Sequence, residues 1–131
     1  MSRLFFLASI LVTIVASVGC SGIDGSDMAG FIDHPERFKG ETLTFLLSPY
    51  ELGYKQEGSG SIGLTLRDHI GQEVHFYGFA HGTSDRLDVM VTIPTGIDVP
   101  NARIGDYLNI TFVCHDGTFK AGNVATSIAR K

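Results

Sequence analysis

The chain has 131 residues, 44% hydrophobic and 18% charged, with a formal net charge of −4. That length supports one domain with a sizeable core, and the apolar share excludes a chain too polar to fold. The acidic balance gives no electrostatic drive toward nucleic acid or anionic lipid.

The first element is an export signal. Met1-Ser2-Arg3 carries one positive charge, and Leu4–Val15 is an apolar run without charge, proline or glycine. As a helix that run spans only ~18 Å, short of a ~30 Å hydrocarbon core. Small residues follow and lead to Cys20, so residues 1–19 have the three parts of a secretory signal peptide. Ser17-Val18-Gly19-Cys20 resembles the bacterial lipobox, with Ser17 where that motif usually carries leucine. The resemblance implies that the Cys20 thiol receives a diacylglycerol before cleavage and anchors the mature chain in a membrane. Cleavage by an ordinary signal peptidase and retention as an anchor are the alternatives.

Loss of residues 1–19 removes Arg3 alone, leaving 9 basic against 14 acidic residues and a formal charge of −5. With Cys20 acylated, Cys114 is the one remaining thiol and no internal disulfide forms. The exported domain must then be held by its core. Ser21 after the cysteine resembles lipoproteins sent to the outer membrane, so the expected location is the periplasm or cell surface, with the outer membrane favoured.

Residues 20–30, rich in Gly, Ser and Asp, read as a flexible tether, and residues 31–131 as one domain. Asp33-His34-Pro35-Glu36 has capping-box chemistry with an early proline, which predicts one or two turns of helix. From there the apolar period is two. Leu43, Phe45 and Leu47 alternate with threonines and Leu46. Ile62, Leu64 and Leu66 form a second run. Val74 and Phe76 are the inward residues of a third, Leu87, Val89, Val91 and Ile93 of a fourth, and Leu108, Ile110, Phe112 and Cys114 of a fifth. A less regular sixth spans Phe119–Ile128, with Val124 and Ile128 facing inward. Six such runs separated by turn signals, Asp116-Gly117 the strongest, predict an all-β barrel or sandwich.

In this order the elements resemble an OB-fold over residues 31–130: a short leading helix, a first strand opening at Gly40-Glu41-Thr42-Leu43, a hairpin over 61–80, and Gly105-Asp106-Tyr107-Leu108 opening a late strand. The expected architecture is a five- or six-stranded OB-like barrel. The run 87–93 departs from the pattern, which usually has a helix there. The OB resemblance implies a ligand platform on strands two and three. That platform would show Thr65 and Arg67 from one strand and His75, Tyr77 and Phe79 from the next, with Tyr50 and Tyr54 from the neighbouring loop. Stacked aromatics beside an arginine suit a sugar, a peptide or a base. The alternative is that the helix or the long loop covers Tyr77 and Phe79.

Enzymatic motifs are not expected to carry function. Gly58-Ser59-Gly60-Ser61-Ile62-Gly63 fits G-x-G-x-x-G, but it precedes a β-periodic run instead of opening a helix, so it reads as a loop. His75 and His81 are six residues apart on an extended chain, roughly 20 Å, too far to share an ion. Cys114 and His115 point to opposite faces of a strand, and Cys114 has inward parity. No catalytic residue, metal or cofactor is expected. The expected role is a non-enzymatic, membrane-tethered module that binds a protein or a small molecule. A single-stranded nucleic-acid-binding domain and a structural envelope lipoprotein without a small ligand are the alternatives.

Overall fold

A computed structural model describes residues 27–131; Cys20, the export signal and residues 20–26 of the expected tether lie outside the described residues. Helix α1 (Asp27–Asp33) and a 3-10 turn (Pro35–Phe38) lead into seven strands: β1 (Glu41–Tyr50), β2 (Tyr54–Glu57), β3 (Gly60–Gly63), β4 (Glu73–Phe79), β5 (Arg86–Thr92), β6 (Leu108–Cys114) and β7 (Asn123–Arg130). A second 3-10 turn, Leu66–His69, precedes β4.

Five strands close a barrel in the order β1-β4-β5-β7-β6. The ten-residue β1 makes closure possible by changing partners along its length. Glu41–Leu47 pair with β6, and Ser48–Tyr50 pair with Tyr77, Phe76 and His75 of β4. Strands β4 and β5 form a seven-pair antiparallel ladder. The seam is the parallel β5–β7 contact, with the single pair Thr92↔Val124. This is a small all-β, OB-like barrel.

Period-two alternation fills the interior. Leu43, Phe45, Leu47, Val74, Phe76, Leu87, Val89, Val91, Leu108, Ile110, Phe112 and Cys114 are all buried. Burial pushes the Cys114 thiol pKa up, so the group stays protonated as a small apolar side chain. A register shift between Thr111 and Phe112 changes the parity of β7. Its buried apolar residues are therefore Ala125 and Ile128, while Val124, expected to face inward, is only half-buried.

The structure corrects the sequence reading in four further places. The helix starts at Asp27, inside the segment expected to be tether, because Met28 and Phe31 are apolar enough to bury completely in the barrel. The expected capping box at Asp33 is absent: the 3-10 turn begins after His34, which makes no side-chain cap bond. The run 61–67 is not a barrel strand. Gly60–Gly63 pairs with Tyr54–Glu57 in a two-stranded ribbon outside the barrel, with Ile62 43% exposed. The chain then turns at Thr65, whose amide donates to the Asp68 carboxylate at 2.7 Å. Asp116-Gly117 makes no tight hairpin, since residues 115–122 form a longer loop between β6 and β7.

With the ribbon set aside, β5 is the third barrel strand, so the place where the pattern usually has a helix moves from 87–93 to 93–107. Residues 93–107 form no helix; they contribute buried Ile93, Val99 and Ala102.

Candidate ligand face

The register of β1, β4 and β5 places outward side chains in rows across the sheet. Tyr50, His75 and Met90 form one row, Ser48, Tyr77 and Asp88 the next, and Phe79 faces Arg86 in the third. Four of the predicted residues, Tyr50, His75, Tyr77 and Phe79, therefore converge. Tyr77 is the hub. Its ring meets Tyr50 at 5.8 Å, Phe79 at 6.2 Å and Tyr107 at 6.0 Å, all edge to face, the arrangement that ring quadrupoles favour. Phe79 is 46% exposed and Tyr107 37%. Helix α1 buries Met28 and Phe31 in the core and leaves Phe79 open; Arg86 and Tyr107 are the neighbours that flank the hub.

Arg86 adds the positive charge. Its guanidinium stands 4.6 Å from the Tyr77 ring centre and 5.6 Å from that of Tyr50, within cation–π range. Its Nε donates to Asp88 Oδ1 at 2.9 Å, and Nη2 makes an ion-pair contact with the same oxygen at 2.9 Å. That pairing holds the guanidinium firmly charged. Partial burial, followed by the negative charge of Asp88, pushes the Tyr50 hydroxyl pKa up, so Tyr50 stays a neutral donor.

At the end of the first row, His75 Nδ1 lies 3.3 Å from the Tyr50 hydroxyl and 3.3 Å from Glu51 Oε1. Glu51 has φ 61, a left-handed conformation that non-glycine residues seldom adopt. It turns the chain off β1 at the place where its carboxylate meets His75.

A pocket of about 430 Å³ opens beside this row, within the usual range for small-ligand sites. Tyr50, His75, Asp88, Val89 and Met90 line it from the sheet, and Phe119 and Lys120 wall it from the 115–122 loop. The wall is pinned at three points. Met90 donates its amide to the Phe119 carbonyl at 2.8 Å. The buried Asn123 amide nitrogen donates to the carbonyls of Met90 at 3.1 Å and Thr118 at 3.0 Å.

The other predicted residues lie elsewhere. Thr65 caps the 3-10 turn, with its hydroxyl and amide both bonded to Asp68. Those bonds favour the Asp68 carboxylate and lower its pKa. Arg67 donates Nε to the Val99 carbonyl at 2.7 Å. Both sit off the barrel strands because the 61–67 run is not the second one. Tyr54 is 75% exposed on the ribbon, opposite Gly63. The sequence reading misses Arg86, Asp88, Tyr107, Phe119 and Lys120. For Asp88 a signal exists, since it alternates outward between Leu87 and Val89.

Among the described residues no group of three or more His, Cys, Asp or Glu side chains could hold a metal ion. Fold and face together define a small OB-like barrel with an aromatic outer face, an ion-paired arginine and an adjoining pocket. Compared with protein-family models, curated proteins and solved structures, the chain matches none.

Proposed function

We propose that this chain is an exported, lipid-anchored, non-enzymatic binding module that takes its ligand on the face formed by Tyr50, His75, Tyr77, Phe79 and Tyr107. The observation that carries this reading is the coincidence of two features. The partly exposed aromatic cluster and the 430 Å³ pocket share one side of the β4–β5 sheet, where OB-like barrels carry ligands. The anchor rests on the lipobox-like Ser17–Cys20.

Tyr77→Ala is the test of the face. In ligand-observed NMR of the full chain against a library of sugars, amino acids and aromatic acids, the variant is expected to lose at least about tenfold in affinity for any hit. Tyr77 stands on the outer face, so the melting temperature should fall by only about 4–8 °C, as for a loss of ~1 kcal/mol. A much larger fall with binding retained would make Tyr77 a structural residue and remove the face from the proposal.

Intact mass of the protein extracted from its native membrane tests the anchor. The expected species lacks residues 1–19 and carries acyl chains on Cys20. A full-length, unmodified chain would end the lipoprotein reading.

Exposed aromatics beside an arginine also favour a single-stranded nucleic acid. Two observations count against it: the Arg86 charge is spent on Asp88, and the whole chain is acidic.

A further inference from the structure

We infer that the pocket between β5 and the 115–122 loop is a site for a small amphiphilic carboxylate, an aromatic or branched aliphatic body carrying one anionic group. This rests on the proposed binding face and names the chemistry it selects. The pocket walls are almost wholly apolar, with Met90 of the sheet and Phe119 of the loop supplying apolar side chains. Its volume of about 430 Å³ is well above the ~150 Å³ that suffices for one benzene ring in a protein interior. An apolar body of one ring with a short chain therefore fits with room for a head group.

Charge decides what the head group is. Asp88 and Lys120 are the lining residues with a fixed charge. Asp88 is already paired with Arg86, whose Nε donates to Oδ1 at 2.9 Å and whose Nη2 lies 2.9 Å from the same oxygen. Lys120 makes no ion pair among the described residues. Its loop is nonetheless held in place, because the Lys120 and Ala121 amides both reach the Thr118 hydroxyl at 3.4 Å and Phe119 is tied to Met90. His75 and Tyr50, the other titratable groups on the lining, engage each other at 3.3 Å, and His75 also lies 3.3 Å from Glu51. An ammonium with no ion-pair partner at the edge of an apolar cavity selects an anion whose remainder avoids water. A cationic ligand would face Lys120 with no free carboxylate on the lining to receive it.

The experiment titrates the purified full chain with phenylpropionate, phenylpropanol and phenylpropylamine, three probes with one apolar body and three head groups. The carboxylate is expected to bind about five- to tenfold tighter than the alcohol, with the amine weakest. Lys120→Gln should erase that preference and leave alcohol binding unchanged. Met90→Trp, which fills the cavity from the outer face, should abolish binding of all three at an unchanged melting temperature. Equal affinity for carboxylate and alcohol, or a preference that survives Lys120→Gln, would overturn the anion assignment while leaving the proposed binding face intact. No binding of any probe at about 10 mM would overturn the pocket itself, whereas the face is judged separately by Tyr77→Ala. Tighter binding of a phenylalanine-terminated peptide than of the free acid would reassign the site from a small molecule to a protein chain end.

Discussion

Phe31→Ala is expected to cost about 3–5 kcal/mol of stability, the range for removing a large aromatic from a packed core. Phe31 is 0% exposed, and its ring meets Phe38, Phe45, Phe112 and Phe119 at 5.4 to 6.1 Å. It belongs to a seven-residue helix, too short to hold itself in water. Helix α1 therefore exists because the barrel receives Met28 and Phe31, and losing the larger anchor should free the helix as well as open a cavity. Phe119 links this plug to the pocket wall, so the carboxylate probe should also bind more weakly. Guanidinium unfolding measures the first effect, with the slope reporting any release of the helix. A loss under about 1 kcal/mol would mean that α1 is only loosely docked and contributes little to the core.

The barrel strands are legible in the sequence because each buries one face, and a half-buried strand leaves a period-two trace. In β1 the polar partners of that trace, Thr42 and Thr44, give way to Leu46, yet Leu43, Phe45 and Leu47 still mark the inward face. The same trace misleads at Ile62, Leu64 and Leu66, whose alternation has no common face behind it. Ile62 is on the exposed ribbon, Leu64 is half-buried, and Leu66 is buried from within a 3-10 turn. Thr65 and Asp68 hold the correct signal, a capping box three residues apart, which a strand reading passes over.

That one error moves the expected platform by a strand. His75, Tyr77 and Phe79 survive it because they share a strand whatever that strand is numbered. Arg86 and Asp88 are lost because only the β4–β5 register brings them opposite Phe79 and Tyr77. Phe119 and Lys120 lie in a loop, which has no period to read, and reach the site through long-range bonds to Met90.

Gly78→Ala should lower stability by about 2–3 kcal/mol, near the upper end for overpacking a core, and should melt the protein about 10 °C or more below wild type. A Cβ at Gly78 would lie 2.6 Å from the Leu46 carbonyl oxygen and 2.8 Å from a Leu47 methyl carbon. The first of these is backbone and cannot rotate away. Leu47 is also the last β1 residue paired with β6, and Ser48 the first paired with β4. Gly78 is thus the missing side chain that lets β1 cross closely over β4 as it changes partners. Forcing the two apart would shift Tyr50 away from His75 and Tyr77, so ligand binding should fall together with stability. Gly60→Ala is the control, since Gly60 has open space around its Cβ position and should stay within about 0.5 kcal/mol of wild type. Were Gly78→Ala to melt like that control, β1 and β4 would not pack at the distance that closes the barrel, and the aromatic face built on their crossing would lose its scaffold.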